Sequence, residues 1–247
     1  MKRRGVHLFA VSLIAFLMAA IIIGAYYFYR TKRPLDIGKS KILERFSFSS
    51  PDEMDEWQEK ILSRERTGYE TMQREGRFCV KAVSEDSAST MFYKKRLSRG
   101  NNPFISWDWL VEEFPDTDKE DNLAKKEQFD FAAQVYVVFY ARFLPSAKAI
   151  QYVWPKDIAS GTACDSPYTK NVKVIVLESG EPGVWKREQR DINLDYKNLF
   201  GAEPKKDVMA VSFMTDSDST DSGAVAYYTD IELGYLGDER KEESSDI

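Results

Sequence analysis

The sequence predicts a mostly β protein, an antiparallel β-sandwich or barrel with one or two short helices, preceded by one N-terminal transmembrane helix. Roughly nine to eleven short runs alternate apolar and polar residues, with Gly, Pro, Asn and Asp turns between them. Hydrophobic residues make up 43% and aromatic residues 13% of the 247-residue chain, which is enough for one sizeable core. One long apolar run lies close to the N-terminus. These features favour a single globular domain tethered to a membrane.

The N-terminal segment has the length and flanks of a membrane helix. After a basic tail at residues 1–5, Val6–Tyr29 contains no charged side chain apart from His7 at its edge. Its 24 residues form about 36 Å of helix, against roughly 30 Å of bilayer hydrocarbon. A cleavable signal peptide is the alternative, but the aromatic and basic stretch after Ala25 is a poor cleavage context. The larger number of basic residues after the helix favours a cytoplasmic domain. That orientation would require the charged N-terminal tail to cross the membrane, so we expect the tail in the cytoplasm and the domain on the extracytoplasmic side.

Composition divides the rest of the chain into three parts. Residues 30–45 are basic, contain Pro34 and Gly38, and are expected to form a linker. Residues 46–236 carry the alternating pattern and are expected to form the β-sandwich domain. The acidic tail 237–247 has almost no apolar residue, so we expect it to be disordered.

The domain is expected to begin with a strand and a helix. Phe46 and Phe48 alternate on one face, and Ser50 then offers an N-cap with Pro51 at the first helical position. Glu53 completes a capping box, so we expect a helix over 50–62. Its apolar positions have helical spacing: Met54, Trp57 and Ile61.

The remaining pattern predicts strands and one further helix. The apolar runs, each bounded by turn residues, cover 69–73, 77–83, 89–97, 103–111, 129–143, 149–154, 171–180, a short strand through Trp185, 207–215 and 224–233. A helix is expected over 193–201, where Gly201 ends it. Trp107 and Trp109 share one strand face, where we expect core packing between strands.

Composition also excludes several functional classes. His7 is the only histidine, so the domain lacks histidine for a catalytic triad or a histidine zinc site. Cys79 and Cys164 are too few for a cysteine zinc site; they form either one disulfide or two free thiols. No GxxxxGK[ST] or GxGxxG motif occurs, which argues against nucleotide binding. The formal net charge of −5 argues against nucleic-acid binding.

Several blocks of sequence form a recognisable set in a fixed order. They are SWDWLVEE, QVYVVF, IQYVW, VLESGEPGVWKREQRDINLDYKNLFG, and VSFMTDSDST with AYYTDIEL. In this order they resemble the bacterial domain of unknown function family 3047, over about residues 45–235. The resemblance implies an exported or membrane-tethered β-sandwich, similar to the galactose-binding-like jelly rolls of carbohydrate-binding modules and complex I intermediate-associated proteins. The family has no established activity, so no catalytic residue is implied.

Four residues are candidates for ligand binding. Trp154 and Trp185 lie at strand ends, where loops build sites and where flat rings can stack on sugars. Arg190 and Asp191 match an Arg-Asp block of the family and are expected to form an ion pair that also contacts a ligand.

A metal candidate lies in the loop DSDSTDSG. Asp216, Asp218 and Asp221 fail the EF-hand pattern because Thr220 and Tyr227 occupy positions that require a ligand and a Glu. The sequence leaves open a weak structural calcium site or a turn whose side chains bond their own backbone. No other cofactor is expected.

The sequence supports three functional hypotheses. The preferred one is a single-pass protein of the inner (cytoplasmic) membrane whose periplasmic or extracytoplasmic domain binds a glycan or protein without catalysis. The second is an assembly or scaffolding factor of a membrane complex. The third is a two-carboxylate glycoside hydrolase or lyase, for which the nominated acids are Glu178, Glu188, Asp216 and Asp218.

Overall fold

Two β-sheets packed face to face form the domain, as the alternating pattern predicts. The computed structural model describes residues 40–116, 122–143 and 146–237, and these belong to one compact unit, Leu35–Ile247. The basic tail, the predicted membrane helix 6–29 and nearly all of the predicted tail 237–247 lie outside the described residues. Within the described part of the chain, no helix is both long and apolar enough to cross a membrane.

The described chain contains thirteen strands and two α-helices. The strands are β1 (Lys41–Phe46), β2 (Gln58–Ile61), β3 (Gly68–Arg74), β4 (Arg77–Glu85), β5 (Ala88–Tyr93), β6 (Pro103–Glu113), β7 (Ala133–Phe139), β8 (Ala149–Trp154), β9 (Ala163–Asp165), β10 (Val172–Val176), β11 (Lys186–Asp191), β12 (Val208–Asp216) and β13 (Gly223–Tyr235). The helices are α1 (Pro51–Asp55) and α2 (Ile192–Phe200).

The strands divide between a first and a second sheet. The first sheet has the order β11-β6-β13-β4-β3, and β1 also pairs with β13. The second sheet has the order β2-β5-β12-β7-β8-β10-β9. Every strand pair is antiparallel except β10 with β8, which is parallel and departs from the all-antiparallel prediction. The prediction of a mostly β sandwich with two short helices is confirmed.

Aromatic side chains fill the space between the sheets. Trp107 and Trp109 from the first sheet are fully buried, which confirms the core packing expected for this pair. The Trp107 ring centroid lies 5.3 Å from that of Tyr152, and the Trp109 centroid lies 5.7 Å from that of Trp154. Aromatic pairs at such centroid distances stabilise a core beyond the area they bury. Large aromatic rings from both sheets therefore contact one another in the core.

The first helix is shorter than the sequence predicts. Ser50 caps it through Asp52 N, but it ends at Asp55, and the residues expected to continue it form β2. Glu53 accepts hydrogen bonds from Ser47 N at 2.6 Å and Phe48 N at 2.8 Å, so its carboxylate holds the preceding turn. Ile61, expected on the buried helix face, is 53% exposed. Pairing with β5 has overridden the helical spacing, as tertiary context often does.

The second helix matches its prediction closely. Gly201 ends it in the left-handed conformation at φ 70°, and its N–H donates to the Lys197 carbonyl. This is the backbone geometry that glycine adopts at a helix C-terminus without a Cβ penalty.

The two cysteines belong to different sheets. Cys79 lies buried on β4 of the first sheet, and Cys164 lies half-buried on β9 of the second. Both are free thiols, which favours the second of the two alternatives left open by the sequence. Burial raises the pKa of each thiol above its ordinary value, so neither is an activated nucleophile.

Strand β1 begins earlier than the sequence predicts. Lys41 already pairs with Tyr235 on β13, whereas the composition predicts a linker over residues 30–45. The close approach of the two strands depends on Gly234, since a Cβ there would overlap the Lys41 carbonyl oxygen and come within 2.8 Å of Phe104 Cε1. Glycine is used where one backbone approaches another this closely.

We expect Gly234→Ala to destabilise the domain by about 1–3 kcal/mol, because the added methyl overpacks the β1–β13 contact. Gly68→Ala is the matched control, since its Cβ would meet only the Val83 carbonyl oxygen at 3.7 Å. That variant should be neutral or stabilising by about 0.5 kcal/mol. Denaturant unfolding measures both, and equal stabilities of the two variants would contradict the packing of β1.

Candidate functional site

Trp154 lies in the core and has no ring face available to a ligand. Its side chain is fully buried, and Nε1 donates to the Gly180 carbonyl at 2.7 Å. Its strand, β8, is central in the second sheet, and its ring points toward Trp109 of the first sheet. The prediction that Trp154 stacks on a sugar is therefore wrong, because the inner face of a central strand is sealed by the opposite sheet.

Arg190 is also internal, and its partner is not the one expected. Its guanidinium donates from Nε and Nη2 to the two carboxylate oxygens of Asp195, at 2.8 and 2.6 Å. Tyr152 OH donates to the same carboxylate at 2.8 Å. Burial alone would lower the pKa of Arg190, but the attraction of Asp195 more than offsets it, so the pKa lies above its ordinary value.

Asp191 has a different task from its neighbour. Its carboxylate accepts a hydrogen bond from Leu194 N at 2.9 Å and so caps α2. Successive strand residues point to opposite faces, so Arg190 points inward while Asp191 does not. The bidentate partner of Arg190 is Asp195 and not the expected Asp191, so each residue holds α2 in place, one through Asp195 and one as a cap. Both are structural in this fold.

We expect Asp195→Ala to cost about 3–5 kcal/mol of stability, because it leaves the buried Arg190 charge without its bidentate partner. Glu203→Ala is the control near the same helix, since the Lys197–Glu203 pair is 59% and 65% exposed. An exposed pair of this kind contributes about 1 kcal/mol or less. Thermal or urea unfolding of both variants checks the difference, and a small loss for Asp195→Ala would contradict a structural Arg190.

The acidic loop after β12 forms a carboxylate cluster, but with one member that the sequence did not indicate. Asp130, Asp216 and Asp218 each place a carboxylate oxygen within 4.8 Å of the others, and we call them the acidic triad. Asp221 is exposed, with φ 50°, and stands outside it. Asp130 precedes β7 and is 86 positions from Asp216, so no local spacing could have joined them.

Hydrogen bonds hold the acidic triad in place. Asp216 accepts from Phe131 N at 2.8 Å and from Gln134 Nε2 at 2.5 Å. Asp130 accepts through Oδ2 from the Thr220 amide and hydroxyl, each at 2.7 Å. Its other oxygen, Oδ1, is buried and has no hydrogen-bond partner among the described residues. Burying such an acceptor unpaired is costly unless a proton or a cation satisfies it.

Electrostatics within the acidic triad oppose full ionisation. Burial and the Asp130 charge raise the pKa of Asp216 well above its ordinary value. Burial likewise raises the pKa of Asp130 and of Asp218. Oxygen ligands converging in this way suit a hard divalent cation such as Ca²⁺, although that ion takes six to eight ligands and would need carbonyls or waters as well.

Paired arginine and carboxylate side chains lie on the solvent side of the first sheet, which we call the outer face. Arg187 lies at its centre and donates to Asp108 Oδ1 at 3.0 Å and to Glu232 Oε2 at 2.9 Å. Arg45 pairs with the other oxygen of Glu232 at 2.7 Å. Arg77 donates to Asp108 on the other side. The result is a continuous row of alternating guanidinium and carboxylate groups, contributed by five strands.

Trp185 lies beside this row. Its ring is half-buried, and the Arg77 guanidinium lies 4.7 Å from the ring centroid. Tyr227 contacts it edge-on at 6.4 Å. The Trp185 indole N–H has no acceptor among the described residues. Of the two predicted tryptophans, Trp185 alone lies at the surface, and the outer face brings it together with charged groups that the sequence did not single out.

The acids nominated for hydrolysis do not assemble into a pair around an open site. Glu178 lies 4.0 Å from the Lys186 ammonium, and Glu188 is only 9% exposed. Asp216 and Asp218 are neighbours, but Asp216 is buried beneath Phe131 and Gln134. Among these four acids, all of them described in the structure, no two form a carboxylate pair that a glycoside substrate could reach.

Solved structures with a similar arrangement include carbohydrate-binding modules. The family 11 module of the cellulosomal cellulase Lic26A-Cel5E of Clostridium thermocellum has 9% identity and a TM-score of 0.40, covering 84% of this chain and 99% of that chain. The mannan-recognising module TmCBM27 has 9% identity and a TM-score of 0.39, covering 80% and 99%. The cellulose induced protein Cip1 has 8% identity and a TM-score of 0.46, covering 77% and 96%. At these TM-scores no conclusion about a ligand follows.

Sequence comparison gives the family assignment. No curated protein matches the chain. The model of DUF3047, described as a protein of unknown function, matches residues 55–232. That range covers well over half of the 247 residues and nearly the whole sandwich. The chain belongs to the DUF3047 family.

Proposed function

We propose that this protein is a non-catalytic glycan-binding module of the cell envelope, and that its ligand binds the outer face around Trp185. The observation that carries the proposal is a half-buried indole held beside a row of paired guanidinium and carboxylate groups. Residues 6–29 would hold the module to the inner membrane with the domain on the extracytoplasmic side. The jelly-roll topology and this location are parts of the proposal that rest on the sequence.

The chemistry of the outer face suits a sugar ring. An aromatic ring offers its face to the C–H groups of a pyranose, and planar bidentate groups match neighbouring hydroxyls. Arg187 fixes the orientation of both Asp108 and Glu232, so these oxygens would lose little entropy on binding. The charged groups of the row differ in how far solvent reaches them. The Arg77 side chain is 34% exposed and that of Asp230, which also pairs with Arg77, is 40% exposed, whereas that of Glu232 is 9% exposed.

The same contacts favour binding over hydrolysis. Glycoside hydrolysis needs one carboxyl group to protonate the leaving oxygen and another free to attack or to activate water. On the outer face, Asp108 and Glu232 each accept hydrogen bonds from two arginines. Carboxylates engaged in this way are recognition groups, not proton donors.

We expect Trp185→Ala to weaken glycan binding by about tenfold or more, since losing one stacked ring removes about 1.4 kcal/mol. Tyr168→Ala is the control, because Tyr168 is an aromatic residue with 56% exposure that lies away from the outer face. Affinity electrophoresis and sedimentation with isolated peptidoglycan and soluble polysaccharides provide the measurement. Equal retention of both variants would remove Trp185 from the site. Failure of the wild-type protein to bind any of these polymers would contradict the proposed function.

We also propose a structural Ca²⁺ at the acidic triad. Because the pKa values of Asp130, Asp216 and Asp218 are raised in the folded state, the ion-free domain should lose stability as the pH rises above about 4. A bound cation would reverse this loss, so the Ca²⁺-dependent rise in Tm should be larger at pH 7 than at pH 5. Asp218→Asn should abolish the rise, and Asp221→Asn, outside the triad, should keep it. A Tm that is the same in Ca²⁺ and in chelator at pH 7 would exclude the ion.

A further inference from the structure

A basic cleft lies at the end of the sandwich opposite the acidic triad. Strand β12 begins at this end with Val208 and reaches the triad at Asp216, about 26 Å away at 3.3 Å per residue. A cavity of about 570 Å³ opens beside the start of β12, and a second of about 310 Å³ adjoins it. The cationic residues lining the two are Arg96, Arg99, Arg142, Lys148, Lys205 and Lys206.

The cleft carries an excess of positive charge on a protein that is acidic as a whole. Asp207 is the only carboxylate among the described residues that line it, and the formal net charge of the chain is −5. Arg96 donates to Asp207 from Nε and Nη2, at 2.9 and 2.8 Å, and Arg99 N donates at 3.2 Å. The hydrogen bond from Arg96 lowers the pKa of Asp207 below its ordinary value. The one negative group is thus already neutralised, and the remaining cations favour an anionic partner.

Exposed aromatic side chains flank these cations. Phe143 is 67% exposed and Tyr140 is 55% exposed, both on the connection that follows β7. The Arg142 guanidinium lies 5.7 Å from the Phe143 ring centroid, and the Lys148 ammonium lies 4.4 Å from that of Phe200. Aromatic rings interleaved with Lys and Arg are the composition of surfaces that sit at a lipid headgroup layer.

The chain enters the domain at this same end. Lys41 begins β1 and pairs with Tyr235. The Tyr235 hydroxyl accepts a hydrogen bond from Ser98 N at 3.0 Å, next to Arg99 of the cleft. The residues that precede Lys41 in the sequence include the basic stretch 30–40 and the apolar run 6–29. The cleft is therefore close to the point where the chain leads back to the predicted anchor.

We propose that this basic end of the sandwich docks on anionic lipid headgroups of the membrane that anchors the chain. The inference rests on the membrane attachment in the proposed function, and it adds an orientation. With the basic end on the bilayer, the membrane would contact the ends of the strands and not the faces of the sheets. The outer face would then remain open to a glycan. Anionic lipid is favoured over an anionic polysaccharide because Phe143 is 67% exposed and because the described chain begins at this end, with Lys41 paired to Tyr235.

Hydroxyl-radical footprinting of the full chain in lipid nanodiscs tests the docking. In discs that contain phosphatidylglycerol, Phe143 and Tyr140 should be oxidised several-fold more slowly than in discs of phosphatidylcholine alone. Tyr168 is the internal control, because it is 56% exposed and contacts Phe129 next to the acidic triad. Its oxidation should be the same in both discs. Protection should weaken at high salt, where the Debye length falls to about 3 Å at 1 M.

Two double variants separate local charge from net charge. Lys205→Glu with Lys206→Glu should abolish the protection, whereas Lys60→Glu with Lys170→Glu makes the same change of charge outside the cleft and should preserve it. Equal oxidation of Phe143 in the two lipid compositions would overturn the docking. Soluble polygalacturonate, added to phosphatidylcholine discs, is the test for an acidic glycan. If it protects Phe143 as strongly as phosphatidylglycerol does, the cleft binds an acidic glycan and the proposed lipid docking is overturned. Polysaccharide retention through Trp185 is measured separately, so failure of the docking and failure of the proposed function are distinguishable.

Discussion

The bulge in β13 is the constraint on which the rest of the first sheet depends. Tyr228 points into the core, and so do Ile231 and Leu233, so the alternation of the strand shifts by one residue between 228 and 231. Asp230 lies at the shift with φ 47°, and the pairing with β6 slips between Thr229 and Glu232. Because a strand has a side-chain period of two, the extra residue moves every later side chain to the other face. Without it, Glu232 would point into an aromatic core.

That shift connects the edge of the sheet to the candidate site. One edge of β13 pairs first with β4, over Gly223–Tyr228, and then with β1, over Ile231–Tyr235. The change of partner brings Arg45 of β1 beside Glu232, and β6 and β11 supply Asp108 and Arg187 on the other side. The row of charges on the outer face is thus a consequence of strand order. Its groups are fixed by one another before any ligand arrives, which is the condition for binding without a large ordering cost.

The sequence predicted features governed by local rules and missed those governed by pairing. Alternation located most strands, and Gly201 ends α2 as C-terminal capping chemistry requires. The helix expected over 50–62 ended early because β5 recruited its second half into a sheet. The position of Trp154 at a strand end predicts a ligand-binding ring, yet the burial of that ring depends on the opposite sheet, which the local sequence does not show. Asp130 joined the acidic triad from a distant loop, a contact that spacing along one sequence does not encode.

The domain has three regions with different chemistry, which are the outer face, the acidic end and the basic end. Glycan binding by the outer face around Trp185 is the proposal on which the function of the protein depends. The most direct test is a two-dimensional ¹⁵N NMR titration with soluble peptidoglycan fragments and oligosaccharides, followed through the indole N–H signals of the five tryptophans. Trp57, Trp107, Trp109 and Trp154 are at most 5% exposed and serve as internal references. We expect the Trp185 indole signal to shift in a saturable manner while these four stay in place. Saturable binding that leaves the Trp185 signal unmoved would contradict the proposal.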